Sequence, residues 1–292
     1  MKRRAFVALG VSAAPAFLLP EFGRAANARI EQLEHESGGR LGVFVKREGR
    51  TLIAHRADER FLTCSTFKVL LVAAVLSRVD SGRESLERRI AFGPARILAY
   101  APVAREHLSR GYMTVRELCA AAIRYSDNTA ADLLIDEIGG PARITAYARS
   151  IGDAVTIMRR REPLLNVPAP DGVSDTTSPR AMAHDIGVLL YGDALGMATS
   201  ALLIDWMHSS PITRTLLRAG VPRAWEVVDK SGTGGRINAH QDSDTRNDIG
   251  ALGPRQGPPI IAAVYLTGCT LPAAQRDSII ARVGREIENA VQ

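Results

Sequence analysis

The chain has 292 residues, 46% of them hydrophobic, and a formal net charge of +6. That apolar mass suffices for a large core in one domain or two interleaved lobes. Half of the charge, a net +3, lies in residues 1–28, and no Lys/Arg stripe with interleaved aromatics occurs, so nucleic acid is excluded as a partner.

The first elements read as an export signal. Lys2 to Arg4 are the basic start, Ala5 to Pro20 the apolar stretch, and Ala26-Asn27-Ala28 an A-x-A cleavage site. Pro15 and Pro20 break the apolar stretch, which argues against a membrane span. Arg3-Arg4-Ala5-Phe6-Val7 resembles a twin-arginine signal, although an ordinary secretory signal with a basic start reads similarly. No cysteine follows the cleavage site, so no lipid anchor is expected. The mature chain is expected to be periplasmic or secreted, without a membrane anchor, and monomeric.

A short helix is expected over residues 29–38, ending at Gly38-Gly39. Leu41 to Val45 and Thr51 to Ala54 flank Glu48-Gly49-Arg50 and predict a hairpin. From Ser65 to about Gly196 the pattern is helical. Thr114-Val-Arg-Glu117 is a capping box, Asn128 to Ile138 ends at Gly139-Gly140, Pro141 opens a helix closed by Gly152, and Ser178-Pro179 caps one through Leu190. Asp153 to Asp175 is a long polar segment without a period, the kind of loop that is usually functional. Trp225 to Asp229, Ile249 to Leu252 and Ile260 to Thr267 predict strands, and Pro272 to Val291 a terminal helix. Trp206 and Trp225 read as core. The expected class is α+β: an antiparallel sheet flanked by terminal helices, plus an inserted all-helical lobe. In domain terms this is a signal over 1–28 and one domain over 29–292. Its α/β lobe takes about 29–60 and 211–292, and its helical lobe about 61–210.

Candidate chemistry begins at Cys64-Ser65-Thr66-Phe67-Lys68. A helix starting at Ser65 would bury Val69 to Leu76 on all sides and set Ser65 and Lys68 on one face. A nucleophilic serine needs a neighbour that takes its proton, and a helix N-terminus favours a developing oxyanion. By itself the pair also fits a capping serine and a lysine with a buried stem. Three cysteines, Cys64, Cys119 and Cys269, leave at least one unpaired, and none has metal-ligand spacing, so neither metal nor cofactor is expected.

Further motifs follow in order: Ser126-Asp127-Asn128 between two helices, Glu162-Pro-Leu-Leu-Asn166 in the long loop, Lys230-Ser231-Gly232-Thr233 after a strand, and Arg246 opening the next. Ser-x-x-Lys, Ser-Asp-Asn and Lys-Ser/Thr-Gly in this order resemble the class A serine β-lactamases. So do Met113 to Ile123, Ser126 to Leu134 and Asp175 to Ala183, and the resemblance covers essentially the whole mature chain. It implies the β-lactamase/transpeptidase-like fold and hydrolysis of penicillins and cephalosporins through an ester on Ser65. It also implies roles for individual residues. The backbone N–H groups of Ser65 and Thr233 would form the oxyanion hole, and Ser126 would relay a proton to the leaving nitrogen. Lys68 or Glu162 would act as acylation base, and Glu162 with Asn166 would activate the deacylating water. Lys230, Ser231, Gly232, Thr233 and Arg246 would hold the substrate carboxylate, Asn128 its side-chain amide, and Tyr100 would flank the cleft. Lys68 and Lys230 are expected to lower each other's proton affinity. Arg160 and Asp175 would close the neck of the loop as an ion pair.

Two features depart from the family. The 234–245 hairpin is long, which leaves the match of Arg246 and the substrate range open. Gly234 and Gly235 occupy the place where carbapenem-hydrolysing relatives bridge a cysteine to the one before the nucleophile, so no bridge and weak carbapenem turnover are expected. The alternatives are a β-lactam-acylated sensor and a penicillin-binding peptidase of the same fold. Glu162 favours turnover over both.

Overall fold

A computed structural model describes residues 21–291. Lys2 to Pro20 of the expected export signal lie outside them. Helix α1 runs Glu21–Ser37, earlier than the expected start at residue 29, so Ala26-Asn27-Ala28 lies inside it. There Ala26 is buried, and Asn27 Oδ1 accepts the N–H of Ala54 at 3.1 Å.

Strands β1 (Arg40–Arg47) and β2 (Arg50–His55) form the predicted hairpin, turned by Glu48 and Gly49 with φ of 49° and 76°. After β3 (Phe61–Leu62) a 3-10 turn, Cys64–Thr66, leads into α2 (Phe67–Asp80). Strands β4 (Arg89–Ala91) and β5 (Tyr112–Thr114) pair before α3 (Val115–Arg124), which carries the predicted capping box on Thr114 and Glu117. Helix α4 (Asn128–Ile138) ends at Gly139, whose φ of 92° suits a residue without Cβ. Next come α5 (Pro141–Ser150), the long loop, β6 (Thr176–Thr177) and α6 (Pro179–Leu190), capped by Ser178 as predicted. Helices α7 (Met197–His208) and α8 (Leu217–Gly220) were not predicted. The chain closes with β7 (Trp225–Ile237), β8 (Ser243–Pro254), β9 (Ile260–Thr267) and α9 (Ala273–Asn289).

The main sheet is antiparallel in the order β2-β1-β9-β8-β7. Its strands sort their side chains by alternation. Val43, Val45, Ala262, Val264 and Leu266 face one apolar cluster with α1 and α9 residues, including Ile30, Ile280 and Val283. Phe44, Ile261, Ala263 and Tyr265 face the other, which holds the helical insertion. The axis of that second cluster is α2, where every residue from Phe67 to Leu76 is buried. Replacing Leu71 there by alanine should cost about 2–5 kcal/mol through the lost burial and the cavity left behind. Trp206 is core as expected, whereas Trp225 is only partly buried at the start of β7.

Strands β7 and β8 extend well beyond the predicted segments. Their ladder runs from Trp225↔Pro254 to Thr233↔Arg246 and, past a bulge, to Ile237↔Ser243. Lys230-Ser231-Gly232-Thr233 therefore lies within a strand rather than after one, and Arg246 lies inside β8 rather than at its opening. Because β7 is the last strand in the order, it offers unpaired backbone groups along its outer edge. Among the described residues no helix is long and apolar enough to cross a membrane.

Candidate active site

Ser65 does not cap α2. It sits in the 3-10 turn before the helix, with Cys64 held at φ 44°, a left-handed conformation that is costly for a residue with a Cβ. Several elements hold this turn. Asn247 Nδ2 of β8 donates to Leu62 O at 2.9 Å and Thr63 O at 3.2 Å. Thr66 Oγ1 donates to Thr63 O at 2.6 Å and lies 3.1 Å from the Tyr265 hydroxyl of β9. Thr63 N–H donates to Asp175 O at the base of the long loop.

Lys68 is fully buried one turn further on. Its Nζ donates to Ser126 O at 2.8 Å and Asn128 Oδ1 at 2.6 Å, and lies 3.1 Å from Glu162 Oε1. Ser126 Oγ is 3.4 Å away, and among the described residues no hydrogen bond joins Lys68 to Ser65. Helical spacing predicts Ser65 and Lys68 within reach of each other, and in this arrangement the ammonium group gives its hydrogen bonds to Ser126 and Asn128. Burial lowers its proton affinity, and Glu162 opposes that effect.

Ser126 occupies the turn between α3 and α4 at φ 58°. Asp127 fixes that turn. Its Oδ1 accepts Ala130 N–H as the cap of α4, and its Oδ2 accepts Val103 N–H and Ala104 N–H, each at 2.9 Å. Ser126 Oγ thereby stands between two ammonium groups, since Lys230 Nζ donates to it at 3.0 Å and to Ser231 O at 2.8 Å. Burial pushes Lys230 well below the usual lysine range, and the charges of Lys68 and then Arg246 add to that. Desolvation thus dominates at both lysines, and of the expected mutual effect the lowering of Lys230 by Lys68 is the part found.

Glu162 comes from the long loop and is buried. Its Oε2 accepts Asn166 Nδ2. Its Oε1 lies 3.1 Å from Lys68 Nζ, a charge-assisted contact that favours the protonated lysine and leaves this oxygen a second lone pair to accept with. The adjacent arginines are not a solvated run. Arg159 pairs with Asp171, Arg160 with Asp175 and Arg161 with Asp136, at 3.0, 2.5 and 2.7 Å. Asp175 is fully buried, and its Oδ1 also accepts the N–H groups of Arg159 and Arg160, which makes it the neck of the loop.

The cleft between these parts measures about 430 Å³ and is lined by Ser65, Tyr100, Ser126, Asn128, Asn166, Ile212, Ser231, Thr233 and Arg246. Arg246 faces Thr233 across the ladder and donates from Nη1 to its Oγ1 at 2.6 Å. Gly232 and Gly234 let β7 press against the Ser65 turn. A Cβ at Gly232 would lie 3.1 Å from Thr63 O, and one at Gly234 would lie 2.5 Å from Asn166 O and 2.7 Å from Cys64 Sγ. Cys64, Cys119 and Cys269 are free and buried. Among the described residues no group of three or more His, Cys, Asp or Glu gathers as a metal site.

Two participants escaped sequence reasoning. Asp277 of α9 clamps Arg246 Nε at 2.8 Å, and Ile212 lines the cleft from the segment between α7 and α8. Neither carries a local sequence signal: Asp277 is 31 positions from Arg246, and Ile212 belongs to no motif.

An edge strand, a buried-helix serine and a helical insertion closing one cleft are the arrangement of the serine β-lactamase fold. Comparison with known proteins narrows this. The model of the Beta-lactamase enzyme family matches residues 25–291. Beta-lactamase OXY-2 of Klebsiella oxytoca is 39% identical over 262 residues, covering 89% of this chain and 88% of that protein. Beta-lactamase Toho-1 of Escherichia coli is 40% identical over 258 residues, covering 88% and 86%. Among solved structures, an ancestral class A β-lactamase superposes with a TM-score of 0.85 at 49% identity, covering 91% of this chain and 99% of that one. The class A enzyme of the last common ancestor of Gram-negative bacteria gives 0.86 at 48%, covering 92% and 100%. The chain belongs to the class A β-lactamases, a family of hydrolases.

Proposed function

We propose that the chain opens the β-lactam ring of penicillins and cephalosporins through an ester on Ser65, and that water activated by Glu162 then hydrolyses this ester. The observation that carries the reading is the buried Glu162 carboxylate. Asn166 holds one of its oxygens, and the other faces Lys68 with acceptor capacity to spare. Such a group can take a proton from water, the step that separates turnover from permanent acylation.

In this reading Ser65 Oγ attacks the lactam carbonyl, with the N–H groups of Ser65 and Thr233 stabilising the oxyanion. The seryl proton passes to the Lys68–Glu162 pair, which shares it as one unit. As the C–N bond breaks, a proton reaches the leaving nitrogen through Ser126 Oγ, which two ammonium groups orient. Lys230, Ser231, Gly232, Thr233 and Arg246 hold the substrate carboxylate on the edge of β7. Asn128 takes the side-chain amide and Tyr100 flanks it. Water, polarised by Glu162 and Asn166, attacks the ester, and Ser65 recovers its proton.

A chromogenic cephalosporin assay checks this. Many turnovers per protein molecule are expected, and a burst of one equivalent with no further colour would favour an acylated sensor. Since Gly234 stands beside Cys64 where a bridging cysteine would be needed, weak carbapenem turnover is expected, and efficient turnover would contradict it. We read residues 1–28 as an export signal that delivers the protein to the periplasm or medium. Export of a reporter fused to them that survived lysines in place of Arg3 and Arg4 would rule out the twin-arginine route.

A further inference from the structure

Helix α4 carries Asp132 and Asp136 one turn apart, a like-charge spacing that disfavours a helix. Asp136 also lies near the helix C-terminus, where a negative charge opposes the dipole. Local helix stability therefore does not explain the pair, whereas two arginines from two separate segments beside the cleft do. Arg161, next to Glu162 on the long loop, places Nη2 2.7 Å from Asp136 Oδ1 and Nη1 3.7 Å from Asp132 Oδ1. Arg96, from the segment leading to Tyr100, places Nη2 2.5 Å from Asp136 Oδ2 and 3.8 Å from Asp132 Oδ2.

We propose that Arg161 is a positioning residue for deacylation: with Arg96 it fastens both segments to the acidic face of α4 and thereby fixes the carboxylate of Glu162. This rests on the reading of Glu162 as the group that activates the hydrolytic water. Two further observations support it. Arg161 O accepts Leu165 N–H at 3.0 Å, closing the turn that delivers Asn166 to Glu162, so the residue that is tethered also shapes the site. Asp132 senses Glu162 directly. Burial raises its proton affinity, Asp136 and Glu162 add to this, and Arg161 and Arg96 oppose it. Arg161 thus supplies countercharge to Asp132, which Asp136 and Glu162 crowd. The Tyr100 wall has backbone ties to α4 as well, since Asn128 N–H donates to Tyr100 O and Thr129 Oγ1 to Arg96 O. The Glu162 wall relies more heavily on its side chain.

The test uses the purified chain, a penicillin, intact-mass quantification of the acyl-enzyme and rapid-quench acylation rates. Arg161→Ala should lower kcat about fivefold, as for an ion-pair network exposed to solvent, with acyl-enzyme accumulating because deacylation falls more than acylation. Arg161→Lys should restore most of kcat, and Asp136→Asn should reproduce the loss without adding to Arg161→Ala. High salt should move the wild type towards the variant. Glu162→Ala, measured alongside, separates the two claims. If it traps acyl-enzyme while Arg161→Ala turns over like the wild type, the positioning role is overturned and the role of Glu162 stands. If it traps none, the underlying reading fails and the proposal with it. Equal falls in acylation and deacylation for Arg161→Ala would show general loosening and also overturn the proposal.

Discussion

Ser126 concentrates the residue-scale argument. Its hydroxyl lies 3.0 Å from Lys230 Nζ and 3.4 Å from Lys68 Nζ, and burial depresses both lysines. Groups held this way are poised to pass protons, whereas exposed lysines stay charged. Linkage gives a consequence that stability measurements can read. An unfolded lysine keeps its proton up to about pH 10.4. Between the lowered folded value and that pH, the unfolded chain binds more protons than the folded one, so these lysines make stability rise with pH there. Lys230→Met should flatten this alkaline rise in urea midpoints and abolish the hold on the substrate carboxylate. An unchanged slope would show that the folded protein holds the Lys230 proton as tightly as the unfolded chain does.

Among the elements, the long loop is decisive. Its neck is one ion pair, Arg160 with a fully buried Asp175 that also accepts two backbone N–H groups. Asp175→Asn should cost about 2–3 kcal/mol, below the fully buried range because Arg160 is partly exposed, and should slow deacylation more than acylation. Thermal unfolding together with acyl-enzyme lifetime checks this. Much of this element was legible in the sequence: the aperiodic run from Asp153 to Asp175 marks the loop, and the family resemblance singles out Glu162, Asn166 and the Arg160–Asp175 pair within it. Capped helices were legible for a similar reason: Thr114 with Glu117, Ser178 with Pro179, and Gly139 are local signals. The far ends of β7 and β8 were not. Gly232, Gly234 and Gly235 remove strand character from the composition, and only pairing of Thr233 with Arg246 restores it. Helix α7 was missed because its apolar residues do not fall on one face. The hydrogen-bond partners of Lys68 were less legible, because helical spacing sets the face of a side chain and not the groups that compete for its ammonium.

At the scale of the whole molecule, the sheet divides two cores, and a buried acid joins the far end of the long loop to the helical side. Asp185 of α6 is fully buried, and its protonated carboxyl hydrogen-bonds Asp153 of the loop. Burial holds its carboxyl protonated well above the usual range, and the neighbouring Asp153 adds to this. The sign is opposite to that of the lysines. As pH rises from about 3.9, the unfolded chain loses this proton first, so stability falls. Asp185→Asn should remove that slope and stabilise the protein at neutral pH by about 1–2 kcal/mol, read from urea midpoints across pH. Destabilisation at neutral pH would mean that the charged form is the one the fold supports.

All of these scales converge on the one chemical event we propose, the release of an ester by water at Glu162. The most direct measurement is an intact-mass time course of Glu162→Ala after addition of a penicillin. The account predicts a gain of one drug mass on Ser65 that persists while the wild type returns to its free mass. A variant that clears the adduct as fast as the wild type would contradict it.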